Sequence, residues 1–120
     1  MTTRILVVED EALLAFDLAI QLASAGFEVV GPVASVAQAL AIIHQVGCDA
    51  AVLDFHLGNE TSEPVASELV ARGTPFVTVS AHLHNQQPGV FSGAPALSKP
   101  IRIKILLAEL RRCLLPAHVD

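Results

Sequence analysis

The feature that most constrains the fold is a set of short runs in which consecutive residues are apolar. Residues 5–8 read Ile-Leu-Val-Val, and residues 50–53 read Ala-Ala-Val-Leu. A strand with one face in water alternates apolar and polar residues, so an unbroken apolar run indicates a strand buried on both faces. Longer stretches with helical periodicity separate these runs. The alternation predicts an α/β fold with a doubly wound, five-stranded parallel sheet.

Helix caps and breakers set the expected boundaries. Ser35 is a candidate N-cap, Pro64 suits a first helical turn, and Gly26, Gly47 and Gly73 suit helix ends. We expect strands at residues 5–8, 28–33, 50–55, 76–80 and 96–98, a loop at 57–63, and helices at 11–25, 35–45, 64–72 and 101–115, the last stopped by Pro116. A fourth helix belongs between Ser80 and Lys99, but Pro88, Gly89 and Gly93 interrupt that stretch. We expect it to be short or irregular.

Composition narrows the class of protein. The chain has 120 residues, 52% hydrophobic and 16% charged, which predicts one folded domain over residues 1–120 with a real core. A net charge of −5 disfavours partners such as nucleic acid or an anionic membrane. Cys48 and Cys113 form no CxxC motif and indicate reduced thiols, and no apolar stretch is long enough to cross a membrane. We therefore expect a soluble, cytoplasmic protein.

Three carboxylates follow strands that should be neighbours in the sheet. Glu9 and Asp10 come directly after the first strand, and Asp54 ends the third. Ligands of doubly wound sheets bind beyond the carboxyl ends of the strands, where the strand order reverses. Two unit charges 4 Å apart repel by about 4 kcal/mol at an effective dielectric near 20. Raised pKa values or a bound cation would relieve that repulsion, and carboxylate oxygens suit Mg²⁺.

Two further polar residues should reach the same crevice. Ser80 ends the fourth strand and Lys99 follows the fifth. A hydroxyl and an ammonium facing a carboxylate–Mg²⁺ centre suit a phosphoryl group, with a carboxylate as the nucleophile. A strand-end Asp or a Lys-Pro pair is ordinary when taken alone. Their placement at four different strand ends is what favours a phosphoryl-transfer site.

Four motifs together resemble a known family, the receiver domain of bacterial two-component response regulators, in its stand-alone form. They are ILVVEDE at residues 5–11, AVLDFHL at 51–57, VTVSA at 77–81 and SKP at 98–100. The resemblance covers residues 3–115 and implies a flavodoxin-like fold of receiver type. It also implies a signalling switch that is not an enzyme beyond its own phosphorylation and dephosphorylation. Phosphate would come from a sensor histidine kinase or a phosphotransfer protein, and the output would be protein–protein contact.

The same resemblance assigns roles to residues of this chain. Asp54 would be the phosphoacceptor, Lys99 the phosphate-sensing lysine and Ser80 the hydroxyl switch residue. Glu9, Asp10 and Asp54 would hold Mg²⁺, and the main-chain carbonyl of His56 would be a further metal ligand. The sequence alone leaves two other functions open. One is an aspartyl phosphatase, which Asp54-Phe55-His56 in place of DxD weakens. The other is a pseudo-receiver that no longer takes phosphate.

Several positions depart from the family's usual pattern. Ala96 stands where receivers carry a switch aromatic, and Gly58 stands where many carry proline. His82 occupies the second position after the hydroxyl residue, where an aromatic is common in a similar subgroup. Because Ala96 has no aromatic ring, the usual coupling between the hydroxyl residue and a switch aromatic cannot operate. His56, His82 and His84 are predicted to be solvated loop residues, or else His56 and His82 control the water that hydrolyses the aspartyl phosphate.

The last helix has two apolar sides. One predicted stripe, which should face the core, contains Ile103, Leu106, Leu107, Leu110 and Leu114. Ile101, Ile105 and Ala108 fall on the opposite side. A helix that covers one face of a sheet should be polar there. The apolar residues are either scattered surface positions or a contact surface for a target protein or a second copy of the chain.

Overall fold

The computed structural model describes residues 2–81 and 89–115. In chain order the elements are β1 (Arg4–Val8), α1 (Ala12–Ser24), β2 (Glu28–Val33), α2 (Val36–Gln45), β3 (Ala50–Asp54), β4 (His56–Leu57), β5 (Glu60–Thr61), α3 (Glu63–Arg72), β6 (Phe76–Ser80), a 3₁₀ turn (Gly89–Phe91), β7 (Ala96–Ser98) and α4 (Ile103–Leu114). The first three long strands, β1, β2 and β3, alternate with helices as the apolar runs predict, whereas β4 and β5 follow β3 directly and a 3₁₀ turn lies between β6 and β7.

Five of the strands form one parallel sheet in the order β2-β1-β3-β6-β7. The chain moves to one side of β1 for β2 and to the other side for β3. The strand order therefore reverses at β1 and β3, and their carboxyl ends flank the switch point. The predicted doubly wound, five-stranded parallel sheet of flavodoxin type is confirmed.

The two faces of this sheet are covered by different helices. Ile5 and Val7 of β1 belong to a core completed by Leu18 and Leu22 of α1 and by Leu106 and Leu110 of α4, which we call the α1/α4 core. Leu6 and Val8 face the α2/α3 core, with Ala39 and Ile43 of α2 and Val65, Ala66 and Leu69 of α3. Alternate residues of one strand are thus buried on opposite faces. This double burial explains why β1 and β3 are apolar without interruption.

Two predicted helix boundaries have a visible cause. The Ser35 hydroxyl accepts a hydrogen bond from the Gln38 N–H at 3.2 Å and so caps α2. Gly73 ends α3 with φ +70°, and its N–H donates to the Val70 carbonyl at 3.0 Å. Glycine adopts this left-handed conformation without the Cβ clash that other residues meet.

The loop expected after the third strand is in fact a short hairpin. Strands β4 and β5 pair antiparallel, His56 with Thr61 and Leu57 with Glu60. Gly58, at φ +63°, and Asn59 form the two-residue turn between them. Glycine with positive φ at the first turn position, followed by a residue with negative φ, is typical of a type II′ turn. The prediction of a loop without strands at residues 57–63 was therefore wrong.

The last helix begins two residues later than predicted. Arg102 is extended (φ −94°, ψ 115°), so the helical phase does not apply to Ile101. The Ile101 side chain is half-buried and packs against the α1/α4 core, so its expected place on the outer face was wrong. Ile105, by contrast, is 44% exposed. The exposed apolar side of α4 therefore contains Ile105 and not Ile101.

The connection between β6 and β7 is irregular in its described part. Gly89–Phe91 forms a 3₁₀ turn, and the buried Phe91 ring contacts the Phe55 and Phe76 rings edge-on, with centroids 5.1 and 6.2 Å away. Residues 82–88, which include His82 and His84, lie outside the described residues. Within residues 2–81 and 89–115, no helix is long and apolar enough to cross a membrane.

Candidate functional site

The carboxyl ends of β1 and β3 bring three acidic residues together. Val8 pairs with Leu53, so the residues that follow them, Glu9 and Asp54, emerge side by side. Carboxylate oxygens of Glu9, Asp10 and Asp54 all lie within 4.8 Å of one another. Glu9 and Asp54 are only 2% and 4% exposed, whereas Asp10 is exposed at the rim. The predicted crowding of these three acids in one crevice is confirmed. We call these three residues the acidic cluster.

One ammonium group meets this cluster. Lys99 follows β7, and its Nζ lies 3.0 Å from Asp54 Oδ2 and 3.2 Å from Glu9 Oε1. The same Nζ lies 3.1 Å from Glu11 Oε1. A single positive charge thus contacts three carboxylates, with Asp10 as a fourth acid nearby. The pocket retains an excess of negative charge when no cation is bound.

The electrostatics of Glu9 and Lys99 follow from this arrangement. Burial, with the neighbouring Asp54 charge, raises the pKa of Glu9 to about 7, against the opposing effects of the Glu11 N–H and Lys99. Burial alone would lower the pKa of Lys99, but its hydrogen bonds to Asp54 and Glu11 outweigh that effect and raise the pKa. Lys99 therefore stays charged, whereas Glu9 exchanges its proton near neutral pH.

The donor set fits a hard divalent cation. Glu9 Oε1 is buried and lies 3.2 Å from Lys99 Nζ, yet it accepts no hydrogen bond from the described residues. Glu9 Oε2, in contrast, accepts the Glu11 N–H at 3.0 Å. An oxygen with an unused lone pair, beside two further carboxylates, is the kind of ligand that Mg²⁺ prefers. The residues present therefore suit the predicted metal.

Glu11 is a member of the site that sequence reasoning did not identify. Its position before α1 suggested only an interaction with the helix dipole. Glu11 does stand at the N-cap position, but its side chain makes no capping hydrogen bond and contacts Lys99 instead. The signal available was the run of three acids, Glu9-Asp10-Glu11. Its pairing with Lys99 joins residues that follow β1 and β7, two strands that β3 and β6 separate in the sheet, so no local pattern reveals it.

Ser80 and His56 were also predicted site residues. Ser80 is fully buried at the end of β6, and its carbonyl accepts the Lys99 N–H at 2.9 Å, so the two residues are direct neighbours. His56 is exposed, with its ring edge-on to Phe55 at a centroid distance of 4.8 Å. The role of the Ser80 hydroxyl and that of the His56 carbonyl stay predictions. Ala96 is exposed on β7, where an aromatic was expected from the family pattern.

Comparison with known proteins gives structural neighbours only. No family model and no curated protein sequence matches the chain. SdrG from Sphingomonas melonis Fr1 is 39% identical, with a TM-score of 0.80, covering 95% of this chain and 98% of that one. A CheY-like response regulator receiver domain from Methylobacillus flagellatus is 24% identical (TM-score 0.81, coverage 94% and 99%). Chemotaxis protein CheY4 from Vibrio cholerae is 23% identical (TM-score 0.83, coverage 95% and 100%). The last two support the fold.

Proposed function

Because the chain belongs to the receiver domains of response regulators, we propose that Asp54 accepts a phosphoryl group from a histidine kinase or a phosphotransfer protein. The observation that carries this proposal is the position of the Asp54 carboxylate. It is 4% exposed, lies within the acidic cluster and has Lys99 Nζ 3.0 Å from its Oδ2. A buried carboxylate held between a cation site and a lysine is suited to attack a phosphorus atom.

In the proposed reaction a carboxylate oxygen of Asp54 attacks the phosphorus of a phosphohistidine. A P–O bond forms, the P–N bond breaks, and the imidazole leaves and takes up a proton from solvent. Glu9, Asp10 and Asp54 are the proposed Mg²⁺ ligands, together with the main-chain carbonyl of His56. Mg²⁺, when bound, supplies the positive charge that lets an anionic carboxylate approach an anionic phosphoryl group.

Lys99 and Ser80 are the proposed phosphoryl-binding residues. Lys99 stays protonated and already contacts Asp54, so its ammonium is available to a phosphoryl oxygen without a change of charge. Ser80 ends β6 beside Lys99, and its hydroxyl would donate a hydrogen bond to another phosphoryl oxygen. In this assignment Lys99 and Ser80 each bind the phosphorylated form of Asp54 more tightly than the unphosphorylated carboxylate.

We propose that residues 1–120 act as one receiver domain whose output is protein contact rather than turnover of a free substrate. Asp54-Phe55-His56 has no acid at the second position after the nucleophile, and His56 is exposed, which disfavours a phosphatase. The proposed contact surface on α4 centres on Ile105, because Ile101 packs inward. Cys48 and Cys113 are free thiols, in keeping with the reducing cytoplasm as the proposed location.

Intact-mass measurement after incubation with acetyl phosphate and Mg²⁺ tests the proposal. We expect the wild type to gain one phosphoryl group with Mg²⁺ and none when a chelator removes the cation. The Asp54→Asn variant should gain none under either condition. Asp17→Asn is the matched control, because Asp17 is exposed in the middle of α1 and does not belong to the cluster. A mass gain that persists in Asp54→Asn, or that never occurs in the wild type, contradicts the proposal.

A further inference from the structure

The hairpin that follows Asp54 contacts the acidic cluster at one atom. The N–H of Gly58 donates a hydrogen bond to Asp10 Oδ2 at 2.8 Å. Asp10 is the exposed member of the cluster, whereas Glu9 and Asp54 are held by burial and by Lys99. The hydrogen bond therefore fixes the one carboxylate of the three that packing leaves free to rotate.

Glycine at residue 58 is explained by the backbone and not by lack of space. A Cβ built at this position meets no atom within 4 Å, but φ is +63°. The type II′ turn requires this conformation, and residues that carry a Cβ rarely adopt it. Proline, which many receivers carry at this position, has φ fixed near −65° and no N–H. It can neither form this turn nor donate to Asp10.

The hairpin is anchored so that the Gly58 N–H stays in place. Leu57, which precedes the turn, is buried in the α2/α3 core. Glu60 Oε2, on the other side of the turn, accepts the Val36 N–H at the start of α2 at 3.2 Å. The Ser62 N–H donates to the Phe55 carbonyl at 2.9 Å and closes the base of the hairpin. Contacts on both sides of the turn thus hold its position relative to β3.

We propose that Gly58 is a positioning residue of the metal site, and that the cation affinity of the acidic cluster depends on this turn. Its N–H holds the Asp10 carboxylate in the orientation in which it binds a divalent cation. The inference rests on the proposed function, since it assumes that the cluster binds Mg²⁺. Hydrogen bonds to metal-ligating carboxylates orient the ligand, and losing such a partner typically lowers metal affinity about 10- to 100-fold.

Calorimetric titration of the full chain with Mg²⁺ provides the test. We expect Gly58→Pro, which removes the N–H, to raise the dissociation constant about tenfold or more. Gly58→Ala keeps the N–H and should change the constant much less. Gly73→Ala is the matched control for backbone strain: Gly73 has φ +70° and open space around its Cβ position, at the far end of α3. The Gly73→Ala substitution should leave the Mg²⁺ dissociation constant unchanged.

The outcomes separate this inference from the proposed function. If the wild type binds Mg²⁺ and a folded Gly58→Pro variant binds it equally well, the positioning role of Gly58 is wrong and the proposed function stands. If the wild type binds no Mg²⁺, both are wrong.

An amide resonance gives a second test that needs no substitution at Gly58. In ¹H–¹⁵N spectra we expect Asp10→Asn to move the Gly58 amide proton upfield, because a neutral acceptor replaces a charged one. The Gly73 amide should stay unchanged. If the chemical shift of the Gly58 amide proton does not change in Asp10→Asn, the hydrogen bond is absent and the proposal is wrong. This result decides the proposal even if Gly58→Pro fails to fold.

Discussion

The acidic cluster and the β7–α4 edge, formed by Ala96–Ser98 and Ile103–Leu114, differ in how closely their side chains are constrained. In the cluster, the buried carboxylates of Glu9 and Asp54 share one lysine at 3.2 and 3.0 Å. At the edge, Ala96 is exposed on a three-residue strand and Ile105 is 44% exposed on α4. Phosphoryl transfer requires fixed geometry, whereas a contact surface can change with its partner. The comparison separates the proposed chemistry from its proposed output.

The cluster also differs from the edge in what it contributes to stability. Buried charges repay their desolvation only when they are well paired, and here the two buried carboxylates of Glu9 and Asp54 share one ammonium, which also contacts Glu11. The cluster is therefore expected to destabilise the metal-free protein. Substitutions there should change the free energy of unfolding, its pH dependence and phosphoryl uptake together. Substitutions on the outer side of the edge should change association alone.

The largest effect is expected when Lys99 is replaced. Lys99→Met leaves Glu9 and Asp54 without their counter-charge, which should cost about 3 kcal/mol of stability in a chelator above pH 7. Phosphoryl uptake should fall about 100-fold, since one charged phosphoryl-binding group is lost. Denaturant unfolding and intact mass measure the two quantities. Lys104→Met is the control. Lys104 is exposed on α4, so this substitution should change the free energy of unfolding by less than about 0.5 kcal/mol. Equal effects of the two substitutions would show that the cluster and the edge do not differ in how strongly they depend on their charged side chains.

A smaller effect is expected from the titration of Glu9 in the metal-free protein. Burial raises its pKa from 4.5 to about 7 in the folded state, so between these values the folded state binds more protons than the unfolded state. The free energy of unfolding should therefore fall as pH rises from about 4.5 to about 7, by about 3 kcal/mol. Glu9→Gln should flatten this slope when unfolding is followed in a chelator across that range. If the free energy of unfolding depends on pH identically in the wild type and in Glu9→Gln, Glu9 is not the cause of the pH dependence.

The smallest effect on stability is expected at Ile105. Ile105→Asp should change the free energy of unfolding by less than about 0.5 kcal/mol, because the side chain does not belong to the core. It should leave phosphoryl uptake at Asp54 unchanged and reduce association measured by light scattering. Leu106→Asp is the contrasting variant: Leu106 is fully buried, so a charge there should unfold the protein. Unchanged association in Ile105→Asp would make the outer side of α4 ordinary surface.

The elements that sequence predicted well are those with local causes. Unbroken apolar runs specified the strands buried on both faces, and Ser35 and Gly73 set helix ends through hydrogen bonds within a few residues. The acidic cluster was predictable because the strand order of a doubly wound sheet determines which strand ends meet. Those strand ends carry Glu9, Asp10 and Asp54, which lie together in the structure.

The elements that sequence reasoning missed had weaker or non-local causes. Gly58-Asn59 between two short runs is a recognised signal for a tight hairpin, but β4 and β5 have only two residues each, too few for periodicity to show. Ile101 was assigned to the helix because Pro100 suits a first turn, whereas the chain stays extended through Arg102. The contact between Glu11 and Lys99 joins residues 88 positions apart.

The most direct test of the central claim, that Asp54 is a phosphoryl acceptor, is the amide NMR spectrum with Mg²⁺ and beryllofluoride, a phosphoryl mimic. SdrG has been described in a BeF₃-activated conformation, so the probe suits a relative of this chain. We predict that the largest shifts occur at Glu9, Asp54 and Lys99, with smaller shifts near Ile105, and that Asp54→Asn shows none of them. A wild-type spectrum without change at these residues, or the same changes in Asp54→Asn, would contradict the account.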